Sequence, residues 1–112
     1  MKYCVVLRLK LKENEYSYAK EPHVIPWDFC DLVAASSDWV FLNEEDFGSA
    51  HAFTHYLQKG ILELSQNADS YRSLGVKHGF TAIQDTILFY QNLLSDCEDH
   101  LQYNVYGYLE KL

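Results

Sequence analysis

No lysine or arginine occurs from Glu21 to Gln58, although this stretch holds Glu21, Asp28, Asp31, Asp38, Glu44, Glu45 and Asp46. Other absences narrow the class of protein. Cys4, Cys30 and Cys97 are odd in number, far apart and outside any CxxC pattern. They argue for reduced thiols packed as small hydrophobes and against a secreted disulfide framework. No apolar run approaches the roughly 20 residues that span a bilayer, and Arg8, Lys10 and Lys12 interrupt the h-region of any signal peptide. A cytoplasmic, soluble protein is expected. Gly75 and Gly79 are followed by no lysine and serine or threonine pair, so there is no phosphate loop. No internal repeat or low-complexity tract is present.

What is there divides sharply by charge. Residues 1–12 carry +4 and residues 13–112 carry −11, which together give the net −7. A negative body repels a phosphate backbone, so direct nucleic-acid binding is disfavoured, the basic N-terminal segment being the one exception. A basic protein is the more natural partner. Trp27, Phe29, Trp39, Phe41 and Phe47 are interleaved with the acids, pairing a field that attracts cations with rigid aromatic anchors. With 112 residues, 48% hydrophobic content and 15% aromatics, the chain suffices for one compact domain over residues 1–112.

Hydrophobic periodicity predicts an α+β fold, an N-terminal β-hairpin or small antiparallel sheet packed against three to five α-helices, predominantly helical after residue 43. Tyr3, Val5, Leu7, Leu9 and Leu11 alternate with Lys2, Cys4, Val6, Arg8, Lys10 and Lys12, the pattern of a half-buried strand. Glu13, Asn14 and Glu15 then turn the chain into a second strand near residues 16–20. A short helix is expected from Pro26 to about Ala35, and residues 38–42 read as a third short strand or an extended linker.

Asn43 reads as an N-cap, with Glu44, Glu45 and Asp46 in a first helical turn and Leu42 and Phe47 as a hydrophobic staple. On that reading the helix runs to about Asn67 and buries Phe47, Ala50, Thr54, Leu57, Ile61 and Leu64, and the acidic triplet has a purely structural explanation. Thr81 and Gln84 form a capping box before a stripe of Ile83, Ile87, Tyr90, Leu94, Cys97 and Leu101. The stripe slips to Val105, Tyr108, Leu109 and Leu112, with a break expected near Ser95 and Glu98. Tyr108 is expected in the core, and Tyr103 and Tyr106 in contact with a partner.

Chemistry-bearing constellations are weak. His51 and His55 share one helical face, as a divalent metal requires, but Ala52 stands where a metalloprotease would carry its glutamate. Glu98, Asp99 and His100 are adjacent, and neighbours on a helix diverge by about 100°. Cys30 with His23, or Cys97 with His100, would need to meet in space. No catalytic residue, cofactor or metal is assigned.

The expected function is binding of a basic macromolecule, in concrete form an immunity or antitoxin protein that inhibits a nuclease toxin. The expected contact residues are Trp27, Asp28, Asp31, Asp38, Trp39, Glu44, Glu45, Asp46, Tyr103 and Tyr106. The alternatives are a metal protein or small enzyme built on His51 and His55, and an oligomeric subunit joined through C-terminal helices.

Overall fold

The computed structural model describes residues 1–111. Its elements are β1 (Lys2–Lys12), β2 (Glu15–Tyr18), β3 (His23–Pro26), α1 (Cys30–Ser37), β4 (Glu44–Ser49), α2 (Ala50–Gln66), α3 (Arg72–His78), α4 (Ala82–Asp99) and β5 (Asn104–Glu110). A single 3-10 turn, Trp27–Phe29, leads into α1 with Pro26 at its start. The fold is α+β: a five-stranded antiparallel sheet and four helices.

β1 organises the sheet. One of its edges pairs with β3 over residues 2–5 and with β2 over residues 8–12, and the other edge pairs with β5 from Lys2↔Glu110 to Arg8↔Asn104. β4 closes the far side of β5. Directly opposed residues share a face, so Tyr3, Val5 and Leu7 look inward with Ile25, Val105, Gly107 and Leu109. The opposite face carries Lys2, Cys4, Val6, Arg8 and Lys10 of β1 beside Tyr16, Tyr18, Asn104, Tyr106, Tyr108 and Glu110.

Helices cover only the inward face. α2 buries Ala50, Phe53, Leu57, Gly60 and Leu64, and α4 buries Ala82, Ile87, Phe89, Tyr90, Leu93 and Cys97. Trp39 sits among Phe41, Phe47, Phe53 and Phe89 with ring centroids 4.8, 5.6, 4.7 and 6.0 Å away. Tyr3 stacks on Phe41 at 4.1 Å. Residues 38–42 are therefore an extended linker without strand pairing, fixed by the two aromatic side chains that it drives into the core.

Several sequence expectations are overturned. Glu44, Glu45 and Asp46 begin a strand, not a helix. Local capping preference yields to pairing with β5, and Gly48, at φ +94°, breaks any helix from Asn43. The helix starts six residues later, where the Ser49 side chain accepts a hydrogen bond from the Ala52 amide.

After a turn at residues 101–103 the chain forms strand β5, so residues 104–110 form no helix through which copies could associate. The apparent slip in the helical stripe is a change of period: Val105, Gly107 and Leu109 face inward while Tyr106 and Tyr108 face outward. Tyr108 consequently leaves the core. α4 is continuous through Ser95, and Leu112, assigned to the final stripe, lies outside the described residues.

Leu9, finally, is 36% exposed, whereas Leu7 is 1% exposed. β1 outruns the helices near its eighth residue, and alternation continues without a layer to cover it.

Leu7→Ala should destabilise the protein by about 2–5 kcal/mol and Leu9→Ala by less than about 1 kcal/mol. Gly60→Ala tests the α2–α4 contact. A methyl there would overlap the Tyr90 ring, so a change that should favour a helix by about 1 kcal/mol is expected to lower stability instead. Urea unfolding of the three variants checks the order.

Candidate interaction surface

The uncovered sheet face is built by strand alternation. Tyr16 and Tyr18 on β2 and Tyr106 and Tyr108 on β5 flank the β1 residues between them. Tyr106 and Tyr108 lie 5.9 Å apart and help to shield Cys4 and Val6, which are buried although no helix covers this side. Cys4 donates to Glu110 at 3.4 Å, and Lys2 pairs with Glu110 at 3.7 Å.

Glu44 and Asp46, opposite Tyr108 and Tyr106, add two exposed carboxylates from the edge strand. The Tyr106 hydroxyl donates to Glu44. Burial, then the hydrogen bond to Glu44, pushes the Tyr106 hydroxyl up to about 12 against the opposing Arg8 charge. Tyr108 is raised too, first by burial and then by Cys4 and Glu110. Both remain protonated donors at neutral pH.

Other expected contact residues are scattered. Glu45 points to the helix side, opposite Gly107. Trp39 is 3% exposed and Trp27 is half-buried against Tyr3 and Phe41, so these rings support the core. Asp38 occupies the left-handed cap position after α1 and pairs with Lys59. Tyr103 packs partly into the core with its ring 5.0 Å from His100. Of the ten residues, the structure gathers Glu44, Asp46 and Tyr106 on one open face. Tyr16, Tyr18 and Tyr108 were not assigned to contact, although the alternating Tyr-x-Tyr in each strand was the available signal.

Asp28 and Asp31 lie at the rim of a cavity of about 380 Å³ with Trp27, Cys30, Lys77 and His78. Asp31 accepts from Lys77 at 2.9 Å, His78 at 2.8 Å and the Leu32 amide at 2.6 Å. Desolvation pushes its carboxyl upward, but the hydrogen bonds from Lys77 and His78 outweigh this and leave it below its ordinary value. This cluster ties α1 to α3.

A second polar cluster escaped the sequence reading. Asp96, 2% exposed, receives His23 of β3 at 2.8 Å, and His100 Nδ1 lies 3.0 Å from both its Oδ1 and its backbone carbonyl. Imidazoles, without a lysine or arginine, are its ion-pair partners among the described residues. An acid on the buried stripe between Leu93 and Cys97 was the signal that could have found it. His23 and His100 both face Asp96 through one ring nitrogen each. Cys97 is fully buried, and desolvation, then Asp96, pushes its thiol up to about 12.

His51 and His55 are exposed on α2, and no group of three potential metal ligands occurs among the described residues. No described helix is long and apolar enough to cross a membrane. Comparisons with protein-family models, curated proteins and solved structures returned no match.

Asp31 generates a signed pH prediction. Because its folded-state pKa lies below the ordinary 3.8, its contribution is present above that value and lost as pH falls through the lowered one. Asp31→Asn should therefore be less stable than wild type at neutral pH, with the gap closing in acid below pH 3.8. A gap unchanged down to about pH 2 would contradict it.

Proposed function

We propose that this is a stoichiometric binding protein for a basic protein, docking through the β4–β5 half of the uncovered sheet face. The observation that carries the reading is the juxtaposition of Glu44 and Asp46 with Tyr106 and Tyr108 on that face. The carboxylates steer a cationic partner, and the tyrosines supply contact area that loses little side-chain entropy. The net −7 of the chain favours the same class of partner.

An immunity or antitoxin protein against a nuclease toxin is its concrete form. Such a nuclease must expose lysines and arginines to hold phosphate, and those cations match a carboxylate and tyrosine surface. The buried position of Trp39, and the packing of half-buried Trp27 against Tyr3 and Phe41, move the anchor role to Tyr106 and Tyr108.

The test is binding to a cationic nuclease domain encoded beside this chain. A one-to-one complex should form, abolish nuclease activity and associate more slowly as salt rises. Glu44→Lys and Asp46→Lys should each weaken it by about tenfold or more, equivalent to about 1.4 kcal/mol, with circular dichroism unchanged. Salt-independent association, or full affinity in both variants, would remove this face from the mechanism.

A further inference from the structure

Arg8 is held in an unusual way. Its guanidinium carbon lies 3.9 Å from the centroid of the Tyr16 ring and 3.7 Å from that of Tyr106. Its Nε is buried without a hydrogen-bond partner, and Arg8 makes no ion pair among the described residues. A clamped guanidinium is preorganised, because the rings remove the rotamer freedom that a ligand would otherwise have to restrain.

The group opens into a cavity of about 310 Å³ also lined by Lys10, Asn104 and Asp46. Lys10 stands two residues along the same strand face, about 7 Å away, and likewise has no ion-pair partner among the described residues. Asp46 is engaged on its own side of the cavity, where Oδ1 accepts from the Gly48 amide at 2.9 Å and both oxygens lie 3.3 Å from Asn104 Nδ2.

From this arrangement we infer that the cavity is a binding site for a phosphate monoester that carries a neighbouring hydroxyl. A dianion matches two unpaired cations better than a carboxylate does, and arginine offers paired N–H donors suited to phosphate oxygens. Asp46 then sets the ligand's orientation, since it repels the phosphate and accepts from the hydroxyl. The cavity volume suits a ligand of a few carbons. The site shares Asp46 and Tyr106 with the proposed docking face, but its test does not depend on that function.

Isotope-edited NMR titration with glycerol 3-phosphate tests the inference, with glycerol and acetate as controls. Saturable shifts at Arg8, Lys10 and Asn104, with a Kd below about 10 mM, are expected for glycerol 3-phosphate alone. Arg8→Gln should weaken binding by about tenfold or more. Arg8 also packs against two tyrosines, so Lys10→Gln provides the independent check: affinity should fall by about threefold or more while Tm stays unchanged. Arg72→Gln, on α3, should bind like wild type. Vesicles containing phosphatidic acid distinguish a lipid headgroup from a soluble source. Arg8-dependent co-sedimentation would place the monoester on a lipid, and its absence with retained glycerol 3-phosphate binding would make the ligand soluble. No saturation, equal binding of acetate, or binding indifferent to both Arg8→Gln and Lys10→Gln would overturn the site.

Discussion

The pairing of β1 with β5 is the constraint on which the rest of the molecule depends. It joins Lys2–Arg8 to Asn104–Glu110 over seven opposed positions, so nearly the whole chain must close as a loop between its two central strands. The close approach is specific. Tyr3 and Phe47 occupy the space over Gly107 that any side chain would fill, and Tyr3 then stacks on Phe41, which packs edge-on against Trp39. Aromatic contacts of this kind contribute about 0.5–1.5 kcal/mol each beyond burial. One glycine on β5 thus sets where the linker after α1 must lie.

That ladder also explains why β4 is a strand. β5 would otherwise present an unpaired edge, and Glu44–Ser49 satisfies it at the expense of the helix start that Asn43 and three acids favour locally. The acids are then an edge device as well as a candidate docking feature. Adjacent charges on an outer strand discourage indiscriminate strand addition. On the proposed function a partner that binds there would bring matching cations, so the side chains that protect the edge would also select the partner.

Legibility in the sequence followed local periodicity and failed where a distant partner decided. The α+β class, the hairpin, the Pro26-led helix and the end of α2 were readable because alternation, proline and the apolar stripe act within a few residues. β5 was not. Val105, Tyr108, Leu109 and Leu112 fit a helical stripe as well as residues 104–110 fit an alternating strand, and only the opposing β1 selects between them. Trp39 shows the same limit at the candidate surface: a tryptophan among acids reads as an exposed anchor until the core is seen to close over it. Glu44, Asp46 and Tyr106 were singled out as residues, but their shared face depends on a strand register that sequence spacing does not reveal.

The uncovered sheet face gains its character from being divided along its width. Toward β2 it presents Arg8 and Lys10, which have no ion-pair partner among the described residues; toward β4 it presents Glu44 and Asp46, with tyrosines on both sides. Tyr106 stands at the junction, its ring against Arg8 and its hydroxyl on Glu44. The two ends of the face are therefore joined through one side chain.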